Sequence, residues 1–483
     1  MTKQKSLPFS VIEEETGSKN VDFQAIDHRQ LFDKFLKQVG PIDFRKLLGL
    51  KADATLRSKH FVVGTVRQVL IIAKNCGCNF CKFGEKLHFY NGVFWKVVDL
   101  DILQSFLGAA AALMGVDGHD AEFWRFREEL LKQFLASAVL PEFERLSGGG
   151  PVLINVQNGT LEVHNNGNCK LREPEAADFL TYVLPFAYDD QAVAPKWQKF
   201  LDWALPDTAL QDVLQEYLGY VFAKNLKLEK CLLCYGSGRN GKSVVFDTIN
   251  ALLGRDLIAN FSYAELSYEH NRAELEGKLL CYTSELGAGR LTTDDFKKLV
   301  SGEPILVRRK FGHPKFMYDY SKLIFNTNSL PKEVEITDAF FRRILILPFE
   351  SKISDEEKDP NLAQKIIASE LSGVLNWILA GLKRLLVQQN FTRAEAAEKA
   401  MERYRIDSDS VQTFLIDEGY EASATGRTES RGFYLEYRQK CIDDGCKPLG
   451  RKNFNKRLEQ LGIDYRIRSN GQDFVGVEKT EAP

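Results

Sequence analysis

The stretch from Gly236 to Ser243 has the composition of a loop that binds phosphate. Its sequence, GSGRNGKS, fits the pattern G-x-x-x-x-G-K-[ST]. Glycines let backbone amides approach phosphate oxygens, and the N-terminus of a following helix adds a positive dipole end. Lys242 would reach the β- and γ-phosphates, and the Ser243 hydroxyl would ligate Mg²⁺. We therefore predict a site for ATP and Mg²⁺ formed by Gly236, Ser237, Gly238, Arg239, Asn240, Gly241, Lys242 and Ser243.

Two apolar segments further along the chain each end in a side chain that could assist hydrolysis. KLLCYTSE ends at Glu285, which could orient or deprotonate the attacking water, or hold the magnesium shell. KLIFNTN ends at Asn328, whose amide could hydrogen-bond the γ-phosphate or the lytic water. The alternative interpretation is an ordinary acidic strand end and an asparagine in a turn before Pro331.

A pair of arginines precedes a third apolar run. FFRRILILPF places Arg342 and Arg343 immediately before that run. Arginine is always charged, and its planar fork fits phosphate oxygens. Either residue could therefore stabilise transition-state charge in the site of a neighbouring subunit. The alternative is a pair of surface arginines at the end of a loop.

The elements that would position these residues alternate between strand and helix. An apolar strand precedes the glycine loop, a helix over Val244 to Leu253 follows it, and the alternation continues to about Phe349. Upstream, we interpret FVVGTVRQVLIIA (61–73) as strand-like. The segment VLINVQNGTLEV is interpreted as a hairpin that turns at Asn158-Gly159. An amphipathic helical pattern covers 361–389, and the polar stretch 405–410 is the best candidate for a linker.

The order of the motifs resembles the superfamily 3 helicases, most closely the poxvirus-type primase-helicases and the phage and plasmid primase family. The matching segments are GSGRNGKS, LLCYTSE, FKKLVSGEPILVRRKFGHPKF, KLIFNTNSLP and FFRRILILPF, all within about 110 residues. The resemblance covers about 150–480 and extends only loosely to 60–150. The first 190 residues show no cluster of acidic residues suited to the two-metal chemistry of a primase. We therefore expect a primase encoded elsewhere, or none.

The resemblance implies a role for each matching residue. Lys242 and Ser243 match the phosphate-loop lysine and hydroxyl, Glu285 the acid of the second motif, and Asn328 the sensor asparagine. Arg343 best matches the arginine finger, with Arg342 as the alternative. Some members carry paired acids in the second motif, whereas Ser284 precedes Glu285 here, which leaves the support of the metal's water shell open.

Two basic segments are candidates for contact with DNA. SGEPILVRRKFGHPKFMYDY predicts a β-hairpin, which in this helicase class projects into a central channel and grips one strand. The C-terminal 70 residues predict helices followed by a hairpin at Asn470-Gly471, an order that resembles a winged helix and can serve DNA or protein docking. The basic residues are Arg308, Arg309, Lys310, His313 and Lys315 in the first segment, and Arg451, Lys452, Lys456 and Arg457 in the second.

The bulk composition excludes several other classes of protein. The chain is 44% hydrophobic and 27% charged, with a net charge of −2, so any DNA contact must gather its cations locally. We expect a cytoplasmic protein with no membrane contact, because no run of 18 apolar residues and no signal peptide is visible. Cys76, Cys78 and Cys81 could contribute to a zinc site, although ordinary reduced thiols are favoured.

These observations together predict an α/β P-loop ATPase core of the AAA+-like, superfamily 3 type, flanked by an N-terminal α+β domain, a helical segment and a C-terminal winged helix. The expected boundaries are 1–60, 61–194, 195–350, 351–408 and 409–483. The implied function is an ATP-dependent DNA helicase of a phage, plasmid or mobile element, acting as a homohexamer on single-stranded and fork DNA. The alternatives are an origin-binding initiator and an ATP-gated sensor or defence NTPase.

Overall fold

The structure is a computed structural model that describes residues 28–83, 86–137, 150–283, 293–310, 312–328, 337–354, 359–469 and 472–479. Its centre is a five-stranded sheet in the order β13-β7-β12-β9-β8, and all paired strands are parallel. The bounds are β7 (Cys231–Tyr235), β8 (Ile258–Ala259), β9 (Leu280–Thr283), β12 (Lys322–Thr327) and β13 (Ile344–Pro348). Near-continuous apolar sequence in β7, β12 and β13 follows from burial of a parallel sheet on both faces.

An N-terminal unit of helices and one small sheet precedes the central sheet. Its helices are α1 (His28–Leu36), α2 (Phe44–Leu48), α3 (Ser58–Asn75), α4 (Leu100–Leu113), α5 (Gly118–Glu122) and α6 (Trp124–Ser137). Its antiparallel strands are β1 (Asn79–Phe83), β2 (Lys86–Tyr90) and β3 (Trp95–Val97). The strand-like interpretation of 61–73 is wrong, because this segment lies within α3.

The predicted hairpin at Asn158-Gly159 is confirmed. It joins β4 (Val152–Val156) to β5 (Gly159–Val163), and β6 (Cys169–Arg172) completes an antiparallel sheet. Leu161 and Val163 of this sheet share one buried core with the helices that cover one face of the central sheet. Residues 150–194 therefore pack as part of the same body as the sheet that carries the glycine loop.

The helices α7 (Pro195–Ala204), α8 (Thr208–Tyr220), α9 (Lys242–Leu253), α13 (Leu362–Ser369) and α14 (Leu371–Gln388) cover that face. The opposite face is covered by α10 (Glu269–Ala273), α11 (Thr293–Ser301), α12 (Asp338–Phe341), part of α15 (Glu395–Ser408), and a hairpin of β10 (Ile305–Val307) and β11 (Lys315–Met317). Within the described residues, no single helix is long and apolar enough to cross a membrane. The pair α13 and α14 meets that test together but bends by 87°.

The C-terminal unit follows without a linker. Its helices are α16 (Ser410–Asp417), α17 (Ser430–Asp443) and α18 (Arg451–Gln460), and its strands are β14 (Tyr420–Ala422), β15 (Thr428–Glu429), β16 (Ile467–Ser469), β17 (Gln472–Val475) and β18 (Val477–Lys479). The predicted linker at 405–410 is wrong, because α15 runs to Ser408 and α16 starts at Ser410. The one residue between them, Asp409, is fully buried and caps α16.

Helices α8 and α14 pack so closely that only glycine fits at the contact. A Cβ added at Gly381 would lie 2.5 Å from the Gln215 carbonyl carbon, and one at Gly219 would lie 2.7 Å from the Leu382 Cβ. The fully buried carboxylate of Glu216 ties the same helices, because it accepts a hydrogen bond from Arg384 Nε at 2.6 Å. This contact fixes one wall of the core beneath the central sheet.

Replacing Gly381 with alanine is expected to lower the free energy of unfolding, because the added methyl group overlaps the backbone of α8. Overpacking of this kind costs about 1–3 kcal/mol, which a shift of the urea unfolding midpoint would report. Gly118→Ala is the matched control, since a Cβ added at Gly118 meets no atom within 4 Å. Equal midpoints for the two variants would contradict the close α8–α14 contact.

Candidate functional site at the carboxyl edge of the sheet

The glycine loop and the end of β12 meet at the carboxyl edge of the sheet. The Gly236 amide donates a hydrogen bond to the Thr327 carbonyl at 3.2 Å. Asn328 follows directly and is exposed, so its side chain lies at the same edge as the loop. Because β9 is parallel to β12, its last residue, Thr283, also reaches this edge. Glu285 itself lies outside the described residues.

Left-handed backbone shapes the glycine loop. Gly238 has a φ of +100° and Gly241 a φ of +81°, conformations that glycine adopts without the penalty of a side chain. A Cβ at Gly236 would lie 2.5 Å from the Phe349 carbonyl oxygen, and one at Gly241 would lie 2.6 Å from Phe200 Cε2. The loop is therefore a narrow backbone cradle supported by α7 and by the end of β13.

Lys242 is buried at the first position of α9, and its ammonium is held within the loop. Its Nζ donates to the Gly236 carbonyl at 2.7 Å and to Asn240 Oδ1 at 2.8 Å. Burial lowers the pKa of the lysine, and the nearby Cys234 thiol partly opposes that shift. A desolvated cation at a helix N-terminus is suited to bind a phosphate group.

Asn240 braces the loop through three hydrogen bonds. Its Oδ1 accepts from Lys242 and from the Gly238 amide at 3.0 Å, and its Nδ2 donates to the Phe349 carbonyl at 2.9 Å. The sequence places Asn240 in the phosphate loop but does not reveal this bracing role. Its partner Phe349 is 109 residues away along the chain, so no local sequence pattern connects the two residues, and only the tertiary structure reveals the contact.

The chemistry of the loop fits a triphosphate with a divalent cation. A glycine loop, a buried lysine and a helix N-terminus all favour an anion at this position. Ser243 is the second residue of α9 and is exposed, so its hydroxyl is available as an oxygen ligand for Mg²⁺. Asn328, at the same edge, supplies a neutral amide beside this cradle.

The arginine pair lies at the amino edge of the sheet, opposite the glycine loop. Arg343 precedes β13, and its carbonyl accepts a hydrogen bond from the Cys231 amide at the start of β7. Its guanidinium is buried and contacts Ser301 Oγ at 3.1 Å, the Ala339 carbonyl at 2.7 Å and Glu229 at 3.3 Å. Arg342, in contrast, is exposed. Neither arginine is brought to the glycine loop of its own chain.

The predicted hairpin is confirmed, and its cations divide into two groups. Lys315 Nζ contacts Glu276 at 2.6 and 2.7 Å, and Arg309 lies 3.6 Å from Glu276 and 4.0 Å from Glu274. Arg308, Lys310 and His313 are exposed and form no ion pair within the residues that the structure describes. The three residues in this second group therefore carry the accessible positive charge.

Lys86 of β2 approaches the neutralised part of the hairpin. Burial lowers the pKa of Lys86, as do Arg309 and Lys315, while Glu276 and Glu274 raise it. Lys86 therefore lies within electrostatic range of Arg309 and Lys315 of the hairpin and of Glu274 and Glu276, which precede β9.

The basic residues of α18 also differ in availability. Arg451, Lys452 and Lys456 are exposed, although Arg451 also donates to Ser430 Oγ at 3.0 Å. Arg457 Nε contacts the fully buried Asp409 carboxylate at 2.6 Å. This ion pair joins α18 to the start of α16, so Arg457 has a structural partner inside the protein.

The three clustered cysteines are separated by the fold. Cys78 belongs to the core of the N-terminal helices, whereas Cys81 packs with Tyr90 and Trp95. Burial raises the pKa of Cys78 to about 12 and that of Cys81 to about 11, so both favour the protonated thiol. Among the described residues, no group of three or more Cys, His, Asp or Glu side chains is arranged to hold a metal ion.

A mixed α/β protein with a parallel sheet covered by helices is the class that this geometry defines. Residues 71–206 match the family described as D5 N terminal like, and residues 234–343 match a family of unknown function, DUF5906. A protein of Invertebrate iridescent virus 3, named a putative helicase, is 24% identical over 241 residues. A putative helicase of Acanthamoeba polyphaga mimivirus is 22% identical over 239 residues.

These alignments cover 46% and 47% of this chain but only 25% of each viral protein, so the chain spans about a quarter of the relatives it matches. The apo structure of the NrS-1 C-terminal region is 13% identical, covering 82% of this chain and 86% of that chain at a TM-score of 0.46. The matches to the D5 family and to the viral proteins confirm the predicted resemblance to the phage and viral primase-helicases.

Changing Asn240 to alanine is expected to weaken the binding of a fluorescent ATP analogue by about 10-fold to 100-fold, since lost hydrogen bonds to a charged group cost about 1.5–3 kcal/mol. Asn165→Ala is the matched control, because it is the same substitution at an exposed residue between β5 and β6, away from the glycine loop. Fluorescence titration gives the dissociation constants, and thermal melting checks that both variants fold. Equal affinities in the two variants would contradict the bracing role of Asn240.

Proposed function

We propose that this chain is the ATPase motor of a DNA helicase that acts in the replication of a virus, phage, plasmid or other mobile element. The observation that carries the proposal is the buried Lys242, held by Asn240 and Gly236 within a glycine cradle at the carboxyl edge of a parallel sheet. The similarity to two viral proteins named as putative helicases supports a role in replication.

In the proposed reaction, the residues of the carboxyl edge bind and orient ATP. Lys242 and the loop amides hold the phosphates, and Asn328 positions the attacking water or the γ-phosphate. Glu285 is proposed to accept a proton from that water. Mg²⁺, held through Ser243 and the water shell of Glu285, would neutralise charge on the phosphate oxygens.

The position of the arginines supports a shared site between subunits. Because Arg342 and Arg343 lie at the amino edge, this pair can reach a glycine loop at the carboxyl edge only from a neighbouring copy. We propose a ring, with a homohexamer as the expected state. Arg343 is the finger that the motif predicts, with Arg342 as the alternative. We propose Arg342 for this role, because Arg342 is exposed, whereas Arg343 is held by Ser301, Ala339 and Glu229.

Two surfaces are proposed to contact DNA. The β10–β11 hairpin would grip single-stranded DNA through Arg308, Lys310 and His313, with Arg309 and Lys315 contributing less because they are paired with glutamates. The C-terminal unit has the helix and strand order of a winged helix, in which α18 would present Arg451, Lys452 and Lys456 to duplex DNA. These exposed cations also support the second candidate function, an origin-binding initiator that melts DNA without processive unwinding.

ATP hydrolysis with and without single-stranded DNA tests the motor. Wild-type protein is expected to hydrolyse ATP faster with DNA, and Lys242→Ala to lose activity by at least 100-fold, because the phosphates lose their buried cation. Arg342→Ala is expected to be inactive alone but to regain activity when mixed with Lys242→Ala. In the mixed ring, an Arg342→Ala subunit supplies Lys242 and its Lys242→Ala neighbour supplies Arg342, which together complete one site.

Arg343→Ala is the comparison for that mixing experiment. If Arg343→Ala is rescued and Arg342→Ala behaves as wild type, Arg343 is the finger. ATP hydrolysis that single-stranded DNA does not stimulate, together with sequence-specific DNA binding by the C-terminal unit, would favour the initiator over the helicase.

Replacing Arg308 with alanine is expected to reduce the dependence of single-stranded DNA binding on salt, because one phosphate contact is lost. The slope of log K against log salt concentration should fall by about 0.7. Arg309→Ala is the matched control and should change the slope less, since Glu276 and Glu274 already neutralise Arg309. Fluorescence anisotropy across a salt series measures both slopes, and equal changes would contradict the division of the hairpin cations.

A further inference from the structure

The β10–β11 hairpin has one buried face and one exposed apolar face. Antiparallel pairing places Leu306 directly opposite Phe316, between the pairs Ile305–Met317 and Val307–Lys315. Ile305, Val307 and Met317 are buried in the core of the central sheet. Leu306 and Phe316 point to the other side, where their exposed fractions are 43% and 57%.

Tyr318 continues this exposed face. Burial alternates from Phe316 (57% exposed) through Met317 (1%) to Tyr318 (58%), as expected when successive side chains point to opposite sides. Two aromatic rings therefore follow each other at a spacing of about 6.8 Å along the chain. Single exposed apolar side chains are common, whereas adjacent ones on one exposed face are typical of a contact surface.

We propose that Leu306, Phe316 and Tyr318 form a platform on which bases of single-stranded DNA stack. The inference rests on the proposed function, since it names a contact to the bases beside the phosphate contacts of the same hairpin. Aromatic rings bind every base through its π-face, so the platform would act independently of sequence.

The charge around the platform favours nucleic acid as its occupant. Arg308, Lys310 and His313 lie between the two strands of the hairpin, are exposed, and form no ion pair within the described part of the chain. The nearby acids, Glu274 and Glu276, are engaged by Arg309 and Lys315 instead. Flat apolar rings beside exposed cations complement a ligand with stacked bases and a negative backbone.

The test compares two oligonucleotides of equal length and charge, oligo-dT and an abasic analogue, by fluorescence anisotropy with the full chain and a non-hydrolysable ATP analogue. Wild-type protein is expected to prefer oligo-dT. Phe316→Ala should reduce that preference by about 5-fold to 100-fold, because the energy of stacking a base on an aromatic ring is lost. Phe316→Leu is the matched control for apolar volume and should lose most of the preference as well.

Arg308→Ala should weaken both complexes equally and leave the ratio unchanged, since it removes a phosphate contact. An unchanged ratio in Phe316→Ala would overturn the inference. The inference is also overturned if Phe316→Ala and Leu306→Ala lower the oligomeric mass in light scattering without changing the ratio of the affinities for oligo-dT and the abasic analogue. The exposed face would then be a contact between subunits. If wild-type protein binds neither oligonucleotide, the proposed function fails; if it binds both equally, only the stacking platform fails.

Discussion

The parallel hydrogen bonding of β7 with β12 and β13 is the constraint on which the rest of the site depends. Parallel strands deliver all their C-terminal residues to one edge of the sheet and all their N-terminal residues to the other. The glycine loop after β7 therefore adjoins the end of β12, while Arg342 and Arg343 precede β13 at the far edge. One chain thus presents a phosphate cradle and an arginine pair on opposite sides.

Burial of this sheet depends on helices from distant parts of the chain. The helices α8 and α14 press on one face, where glycines permit close approach and the buried Glu216 receives the polar side chains of α14. Phe200 of α7 supports Gly241, so the same packing that forms the core also sets the shape of the cradle. Stability and binding geometry are therefore coupled through shared side chains.

The sequence predicts the local parts of the site but not the contacts between distant segments. Gly236 to Ser243 is recognisable because the chemistry depends on residue types at fixed spacing. The bracing of Asn240 by Phe349 and the burial of Arg343 against Ser301 depend on tertiary packing, which spacing does not encode. The β-branched residues of 61–73 suggested a strand, yet Val62, Val66, Val69 and Ile72 bury one face of α3, because helical periodicity outweighs local propensity.

The connection between α15 and α16 has a mechanical meaning. Tyr404 of α15 packs edge-on against Phe341, the neighbour of Arg342, with ring centroids 5.6 Å apart. About one turn further on, at the C-terminal end of α15, Asp409 is the whole connector to α16, and its carboxylate also pairs with Arg457 of α18. A hinge requires a connector whose backbone can change conformation, and a single buried, ion-paired residue does not provide that freedom. The orientation of the C-terminal unit is therefore fixed to α15, and the Phe341–Tyr404 contact joins the segment beside Arg342 to the same helix.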